Sequence, residues 1–561
     1  MRFGRIAHRA SGEVPGSTRR EKRLAARDGI SFDVRSMPSP ETSAAPPSNS
    51  RWRWPLLLAL FAVALTIFTR HNDYPFYYHP DEFGKCKQVV DGTRSFNFHH
   101  PLLLLNVATP LKKLAGKGAD RSKPAQLQKA VVAGRRASAL FAAITVVALA
   151  VAGYLLGGPG GAFAAGIATL LHPLLFEHAH IFKEDAALTM GLALTCMAAM
   201  LFWGSPDSRR RTALLGVAVG LAVSGKYIGL AALIVALPVV LFAPGQNRAR
   251  RFAIFAAGFA IIFILANRQM FTHLGEWRAS FSNELGMSVS GSRGLAAQSP
   301  VAQYLEWVHQ TVPTAAIVFL VLNALSLATT ARRRSLADWL VFLFPFAFTG
   351  LLMLSPRVSD RYFLPAAVLF NFNALVGVGV CAEWFTRAFG KFRFAGQIAF
   401  AAIALGLGWS GQFELFGKTY AQFQSDDRRE LEGWMDANLP PGSKVVQDYA
   451  IHLPDAEDHK QEGMKRPFKH EVRGHEFVAE LGTLDELRAQ GVRYVATTPK
   501  KSQRYTSGSM IPSDDAKAEF ERRKAFYSAL PRRAKRLWLR GMSEIDTLHP
   551  GIELYDLGQK P

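Results

Sequence analysis

Apolar residues in this chain fall in long blocks rather than in an even scatter. Runs such as 252–266, 313–331 and 362–382 carry no charge at all. Blocks of roughly 16 to 22 residues have the length a helix needs to cross a hydrocarbon core. The pattern predicts eleven spans, near 54–69, 137–156, 161–178, 186–203, 212–224, 228–243, 252–267, 313–330, 337–354, 362–382 and 395–411. Between the first two, Pro101 to Leu114 carries an apolar stripe ending in Lys112-Lys113, which predicts a helix lying in the membrane interface.

The two ends of the chain follow other patterns. Residues 1–53 are rich in Arg, Ser and Pro without apolar periodicity, and are expected to be a disordered basic cytoplasmic tail. Such a tail is longer and more polar than the start of a cleaved signal peptide, so the first apolar block is expected to be a retained anchor. Trp52 and Trp54, interleaved with Arg51 and Arg53, mark an interface at its start. Residues 412–561 are charged, with helix-then-strand patterning. Asp426 to Asn438 predicts an amphipathic helix stopped by Pro440-Pro441-Gly442, and Lys444 to Tyr449 a strand. Thr483 with Glu486 has capping-box spacing, so 484–490 predicts a helix, Gly491 its C-cap, and 492–498 a second strand. The fold class is therefore mainly α: a polytopic membrane protein of about eleven transmembrane helices in residues 54–411, followed by a small soluble α/β domain.

Charge fixes the orientation. The 561 residues carry a formal charge of +22 with a mean hydropathy of +0.08. Arg209-Arg210-Arg211, Arg248 to Arg251, Arg332-Arg333-Arg334 and Arg387 to Arg393 all fall in connections on the side of the N-terminal tail, as the positive-inside rule requires. The surplus is thus explained without a nucleic-acid partner. Three cysteines, two of them in apolar runs, give no disulfide framework. The opposite, outer connections are 70–136, 179–185, 225–227, 268–312, 355–361 and everything after about 412.

Ionisable residues close to membrane depth are functional candidates, and they gather on that outer side. The first outer loop, 70–136, holds Asp81, Glu82, His99 and His100, with Arg135 and Arg136 at its end. Glu177, His178, His180, Lys183, Glu184 and Asp185 sit between spans three and four. Lys226 lies between spans five and six, and Arg357, Asp360 and Arg361 between spans nine and ten. Acids and cations at one membrane face suit transfer of a sugar from a lipid-linked phosphate. A carboxylate accepts the acceptor's proton, where position matters more than pKa, and a fixed cation stabilises the departing phosphate. No general acid is needed, unlike glycoside hydrolysis.

The run Asp81-Glu82-Phe83-Gly84-Lys85, with Phe96-Asn97-Phe98-His99-His100-Pro101-Leu102 after it, resembles the first lumenal loop of protein O-mannosyltransferases. Arg135 to Leu140, Asp185, Gly225-Lys226-Tyr227 and Arg361-Tyr362-Phe363-Leu364-Pro365 resemble motifs of the wider group of polyprenyl-phosphate-sugar transferases with the GT-C fold. The likeness covers about 70–370. It lacks the His that precedes Phe-Gly-Lys in the family and shifts the second Pro of its His-Pro-Pro-Leu, and loop 268–312 is too short for a β-trefoil insertion. The resemblance implies Asp81 as catalytic base with Glu82 supporting it, and Arg135, Lys226 and Arg361 as holders of the donor phosphate. His99, His100, Lys183 and Asp185 become candidate substrate contacts. The implied partners are a polyprenyl-phosphate sugar donor, a lipid, glycan or protein acceptor, and the membrane.

Imidazole and carboxylate suit Zn or Mn, so Glu177, His178 and His180 are the metal candidates. Their spacing matches no closed metal motif, and no cofactor is required by the sequence. A transporter or flippase for lipid-linked sugars is the competing class. It would need paired charges at the bilayer midplane or repeated broken helices, and no internal repeat is visible. Without an insertion domain or targeting signal, a bacterial inner membrane with an outward-facing active site is the expected location.

Overall fold

Proline, glycine and capping side chains set the ends of most helices. The computed structural model describes residues 53–92, 98–114, 122–245, 247–290, 295–297, 299–329, 335–454, 468–543, 545 and 548–558. The expected tail, Phe96-Asn97 of the loop motif and Arg332 to Arg334 lie outside the described residues. Met1–Pro55 and Leu56–Pro561 are separate units; the account below concerns the second.

Helix α1 (Arg53–Thr69) leads into α2 (Pro80–Asp91) and α3 (Leu103–Leu114), the last being helical within the predicted 101–114 segment. Helix α4 (Lys123–Leu170) runs through 48 residues but breaks at Gly158, where φ is 62° and ψ is −158°. A straight helix would put residues 153 and 161 about 12 Å apart. Instead a Cβ on Gly153 would lie 2.5 Å from the Gly161 carbonyl oxygen, so the chain folds back into two packed arms. Those arms are the predicted second and third spans. The second continues, after a break at Leu171-His172, into α5 (Pro173–Ala179).

Helices α6 (Asp185–Trp203), α7 (Arg209–Gly225), α8 (Leu233–Phe242) and α9 (Arg248–Ala266) follow. Then come α10 (Arg268–Thr272), α11 (Leu274–Ser290), the short strand β1 (Leu295–Ala297) and α12 (Pro300–Thr311). Helices α13 (Thr314–Thr329), α14 (Leu336–Met353), α15 (Asp360–Phe385), α16 (Arg393–Gly408) and α17 (Ser410–Gln422) complete the apolar half. Every predicted span is helical over most of its length. Among the described residues, six helices are long and apolar enough to cross a membrane, or seven if α12 and α13, bent by 94°, form one span. Helices α6 and α15 are almost wholly buried, whereas α9 and α16 keep most of their apolar length on the outside, as lipid-facing helices do.

The C-terminal part opens with α18 (Asp427–Asn438), capped by Asp426. Strands β2 (Lys444–Asp448) and β3 (Glu471–His475), helix α19 (Leu484–Ala489), strand β4 (Tyr494–Thr497), helix α20 (Pro499–Thr506) and strand β5 (Met510–Pro512) follow. Helix α21 (Lys517–Arg533) and strands β6 (Lys535–Met542) and β7 (Pro550–Asp556) end it. The sheet order is β3-β2-β4-β7-β6, with β2 parallel to β3 and β4, and β7 antiparallel to β4 and β6. The predicted strands are its central β2 and β4, and the Thr483–Glu486 capping box is present. Strand β5 also pairs with β1, tying the segment after α11 to this part.

Candidate active site

The adjacent acids are separated by helix geometry. His79 caps α2 by accepting the Asp81 N–H at 3.1 Å, which places Asp81 and Glu82 in the first turn. Successive helical residues point about 100° apart, so the two carboxylates face different ways. Asp81 is half-exposed on the wall of a cavity of about 750 Å³. Glu82 is fully buried, away from that wall.

Asp81 sits between two cations. Lys183 pairs with its Oδ2, and Arg361 Nη1 reaches the same oxygen at 3.3 Å. Burial works to raise the Asp81 pKa, but the charges of Lys85 and Arg361 outweigh it and hold the carboxyl below its ordinary range. His79 shifts the other way from its own reference: burial keeps it neutral, with Asp81 opposing.

Three consecutive residues before and at the start of α6 diverge in the same fashion. Lys183 goes to Asp81, Glu184 to Lys85 at 3.1 Å, and Asp185 to Lys226 at 2.6 Å. His100 approaches Glu184 at 4.0 Å, and His99 lies beside it in the bend before α3. The Lys226 ammonium also stands 4.4 Å from the centre of the Tyr362 ring. The structure thus brings Asp81, Lys183 and Arg361 together, with the Asp185–Lys226 pair joined to them through Tyr362, which accepts from Arg361 Nη2 at 3.3 Å.

Arg135 and Glu82 occupy a different place from the one their resemblance implied. Arg135 has no exposed surface and grips both Glu82 oxygens, at 3.0 and 2.6 Å. Its remaining N–H groups donate to the carbonyls of Asn72, Tyr74 and Pro75, and Glu82 also accepts the Phe182 N–H. All five donors of the guanidinium are engaged, leaving none for a phosphate. The metal candidates are split as well. His180 places both ring nitrogens 2.7 Å from the backbone oxygens of Phe176 and Arg70, while Glu177 and His178 line the cavity. Among the described residues, no three His, Cys, Asp or Glu side chains are grouped to hold a metal ion.

Sequence reasoning assigned no chemistry to the C-terminal part, yet Lys500, Lys501 and Arg504 of α20 line the same cavity as Asp81. No local signal marks them, because only the fold brings α20 to the cavity lined by His79, Asp81 and Arg361. Lys501 is paired with Glu476 at 3.6 Å, and Arg523 of α21 with Glu480 at 2.6 Å.

Fold and site together describe a protein with apolar helices of membrane-spanning length and a charged cavity. Residues 127–268 match the family model described as dolichyl-phosphate-mannose-protein mannosyltransferase, a segment that holds Arg135, Lys183, Asp185 and Lys226. The chain is a glycosyltransferase and an integral membrane protein. Solved structures resemble it at low identity. ArnT from Cupriavidus metallidurans bound to undecaprenyl phosphate has 14% identity and a TM-score of 0.49, over 90% of this chain and 98% of that one. The oligosaccharyltransferase AglB from Archaeoglobus fulgidus, in complex with an inhibitory peptide and a dolichol-phosphate, has 9% identity and a TM-score of 0.49, over 88% and 74%. The S. cerevisiae protein O-mannosyltransferase Pmt1-Pmt2 complex bound to the sugar donor has 19% identity and a TM-score of 0.30, over 42% and 33%. No curated protein sequence matches.

Proposed function

We propose that this glycosyltransferase moves a sugar from a polyprenyl-phosphate donor to a hydroxyl or amine of a lipid, glycan or protein acceptor. The observation that supports this is Asp81 on the cavity wall, held between Lys183 and Arg361. The acceptor oxygen or nitrogen attacks the anomeric carbon and forms the new glycosidic bond. The carbon–oxygen bond to phosphate breaks, its electron pair stays on the phosphate, and the acceptor proton passes to Asp81. Arg361 and Lys226 stabilise the leaving phosphate, which, as a low-pKa leaving group, needs no protonation.

A carboxylate pinned by two cations is a weak base at rest. Arrival of the donor phosphate gives those cations a second anion to hold, which loosens their grip on Asp81 and raises its basicity as the acceptor binds. No step is routed through a metal, since His180 is turned onto backbone carbonyls. The reading places eleven crossings in a bacterial inner membrane, with the cavity and the C-terminal part on the periplasmic side. The folded-back α4 supports that count by supplying two of them.

The test is sugar transfer from a radiolabelled polyprenyl-phosphate donor by the purified protein. Asp81→Asn should lower turnover by at least about a hundredfold, the size of one positioned acid–base group, with donor binding retained. Undiminished transfer in that variant removes Asp81 from the role of base. Labelled lipid crossing vesicles with no sugar consumed points instead to transport.

A further inference from the structure

His178 is a side chain on the cavity wall whose chemistry the reaction above leaves unused. It is 4% exposed, and neither ring nitrogen has a hydrogen-bond partner. A buried polar group in that condition is destabilising, and such groups in native folds mark either a ligand or a functional need. The same wall holds a second one: Arg361 Nε, shielded from water and without an acceptor, although its other nitrogens reach Asp81 and Tyr362. The charged neighbours of His178 are Asp185, Asp360, Arg361 and Lys226. It therefore stands between the Asp185–Lys226 pair and the start of α15, beside the cations that would meet a phosphate.

Helix α5 explains how the ring is held there. His172 caps α5 and accepts the Leu175 N–H at 3.4 Å, and Pro173 begins its first turn. Five residues later His178 falls near the end of this seven-residue helix, on the cavity side, while His180 two residues further is fixed by two backbone oxygens. The two histidines of one short segment thus have opposite situations. One is saturated and the other is unsatisfied.

We infer that His178, together with Arg361 Nε, forms the subsite that receives the glycosyl-phosphate head of the donor. A neutral imidazole offers one donor and one acceptor. A glycosyl phosphate answers both, with a phosphate oxygen accepting from the ring N–H and a sugar hydroxyl donating to the other nitrogen. Arg361 Nε–H supplies a second donor to the phosphate, strengthened by charge. An uncharged lipid offers nothing for Arg361, and a metal would find no group of three donors among the described residues.

The inference rests on the donor class proposed above, and the experiment separates the two. The full-length protein in detergent is titrated with farnesyl phosphate and, in parallel, with farnesol. His178→Phe should weaken farnesyl phosphate binding about tenfold, the effect of losing one hydrogen bond to a charged group, and leave farnesol binding unchanged. His178→Gln, which restores a donor and an acceptor, should recover most of the loss. In transfer assays His178→Phe should raise the donor KM by a similar factor with a smaller change in kcat. Unaltered phosphate binding in His178→Phe, or equal weakening of phosphate and alcohol, overturns the subsite. If His178→Phe does not fold, the decision passes to His178→Gln against His178→Leu with the same two ligands: the subsite stands if only the leucine loses phosphate and falls if they match. Should Asp81→Asn transfer sugar normally while the His178 results hold, the base assignment fails and the subsite remains.

Discussion

Arg135 and Glu82 turn their full hydrogen-bonding capacity towards each other and the backbone of residues 72–75 and 182. Removing one member of a buried pair leaves the other charged and uncompensated, at about 3–5 kcal/mol. Arg135→Met and Glu82→Leu should each lower the melting temperature of the purified protein markedly, and the double variant should recover much of the loss. Arg135→Lys should behave more like Arg135→Met than like wild type, because an ammonium cannot reproduce the two-pronged grip. A double variant as unstable as its parents would show that this pair is not the source of the stability. These residues stand beside Asp81 in sequence or in motif, which is why the sequence resemblance suggested catalytic and phosphate roles. Which way each side chain points depends on one helical step between Asp81 and Glu82, and on whether Arg135 looks into the bundle or into the cavity. Residue types alone do not carry that information. Of the two cations that meet Asp81, Arg361 was legible through the Arg-Tyr-x-x-Pro resemblance, whereas Lys183 was legible only as a candidate substrate contact.

At the scale of elements, close helix crossings rest on glycine. A Cβ on Gly379 of α15 would lie 2.5 Å from the Gly161 Cα and 2.6 Å from the Gly157 carbonyl oxygen, where the two arms of α4 meet α15. Small residues let backbones approach where lipid gives no hydrophobic drive. Gly379→Ala should therefore reduce folded yield and melting temperature, while Gly406→Ala, with nothing within 4 Å, should be neutral or slightly stabilising. Size-exclusion profiles and thermal melts of the two variants check this. The spans themselves were readable because an apolar run of membrane length has few other uses, but the strands were only partly so. Strands β2 and β4 show buried apolar patterning, whereas β6, with Lys535, Arg536 and Arg540, is an exposed edge. Charge on an edge strand guards it against pairing with other chains, and the same charge hides it from any reading based on apolar alternation.

For the molecule as a whole, the decisive arrangement is that the C-terminal part closes one side of the cavity, so its attachment bears on transfer. That attachment includes a titratable clamp. His549 Nδ1 lies 2.9 Å from Asp427, at the start of α18, and its Nε2 lies 2.7 Å from the Gln422 carbonyl oxygen, at the end of α17. Burial disfavours the charged ring, but the hydrogen bonds to Asp427 and Gln422 and the Asp427 charge outweigh it and raise the His549 pKa above its ordinary 6.5. A histidine whose pKa is raised on folding gives stability that is fully present below the unfolded value and lost as pH rises through the folded one. The wild-type protein should therefore lose stability as the pH is raised from 6.5 through the raised pKa. Amide exchange at 417–438 and 548–558 should quicken over the same window, because the clamp joins those two stretches. In His549→Gln, which keeps a donor without the charge, both trends should flatten and the low-pH stability should be lower. Transfer activity gives the functional side of the same test: a cavity wall that loosens with pH should raise the donor KM in wild type over that window but not in His549→Gln. If the two proteins keep identical pH profiles, the clamp does not govern the closure of the cavity.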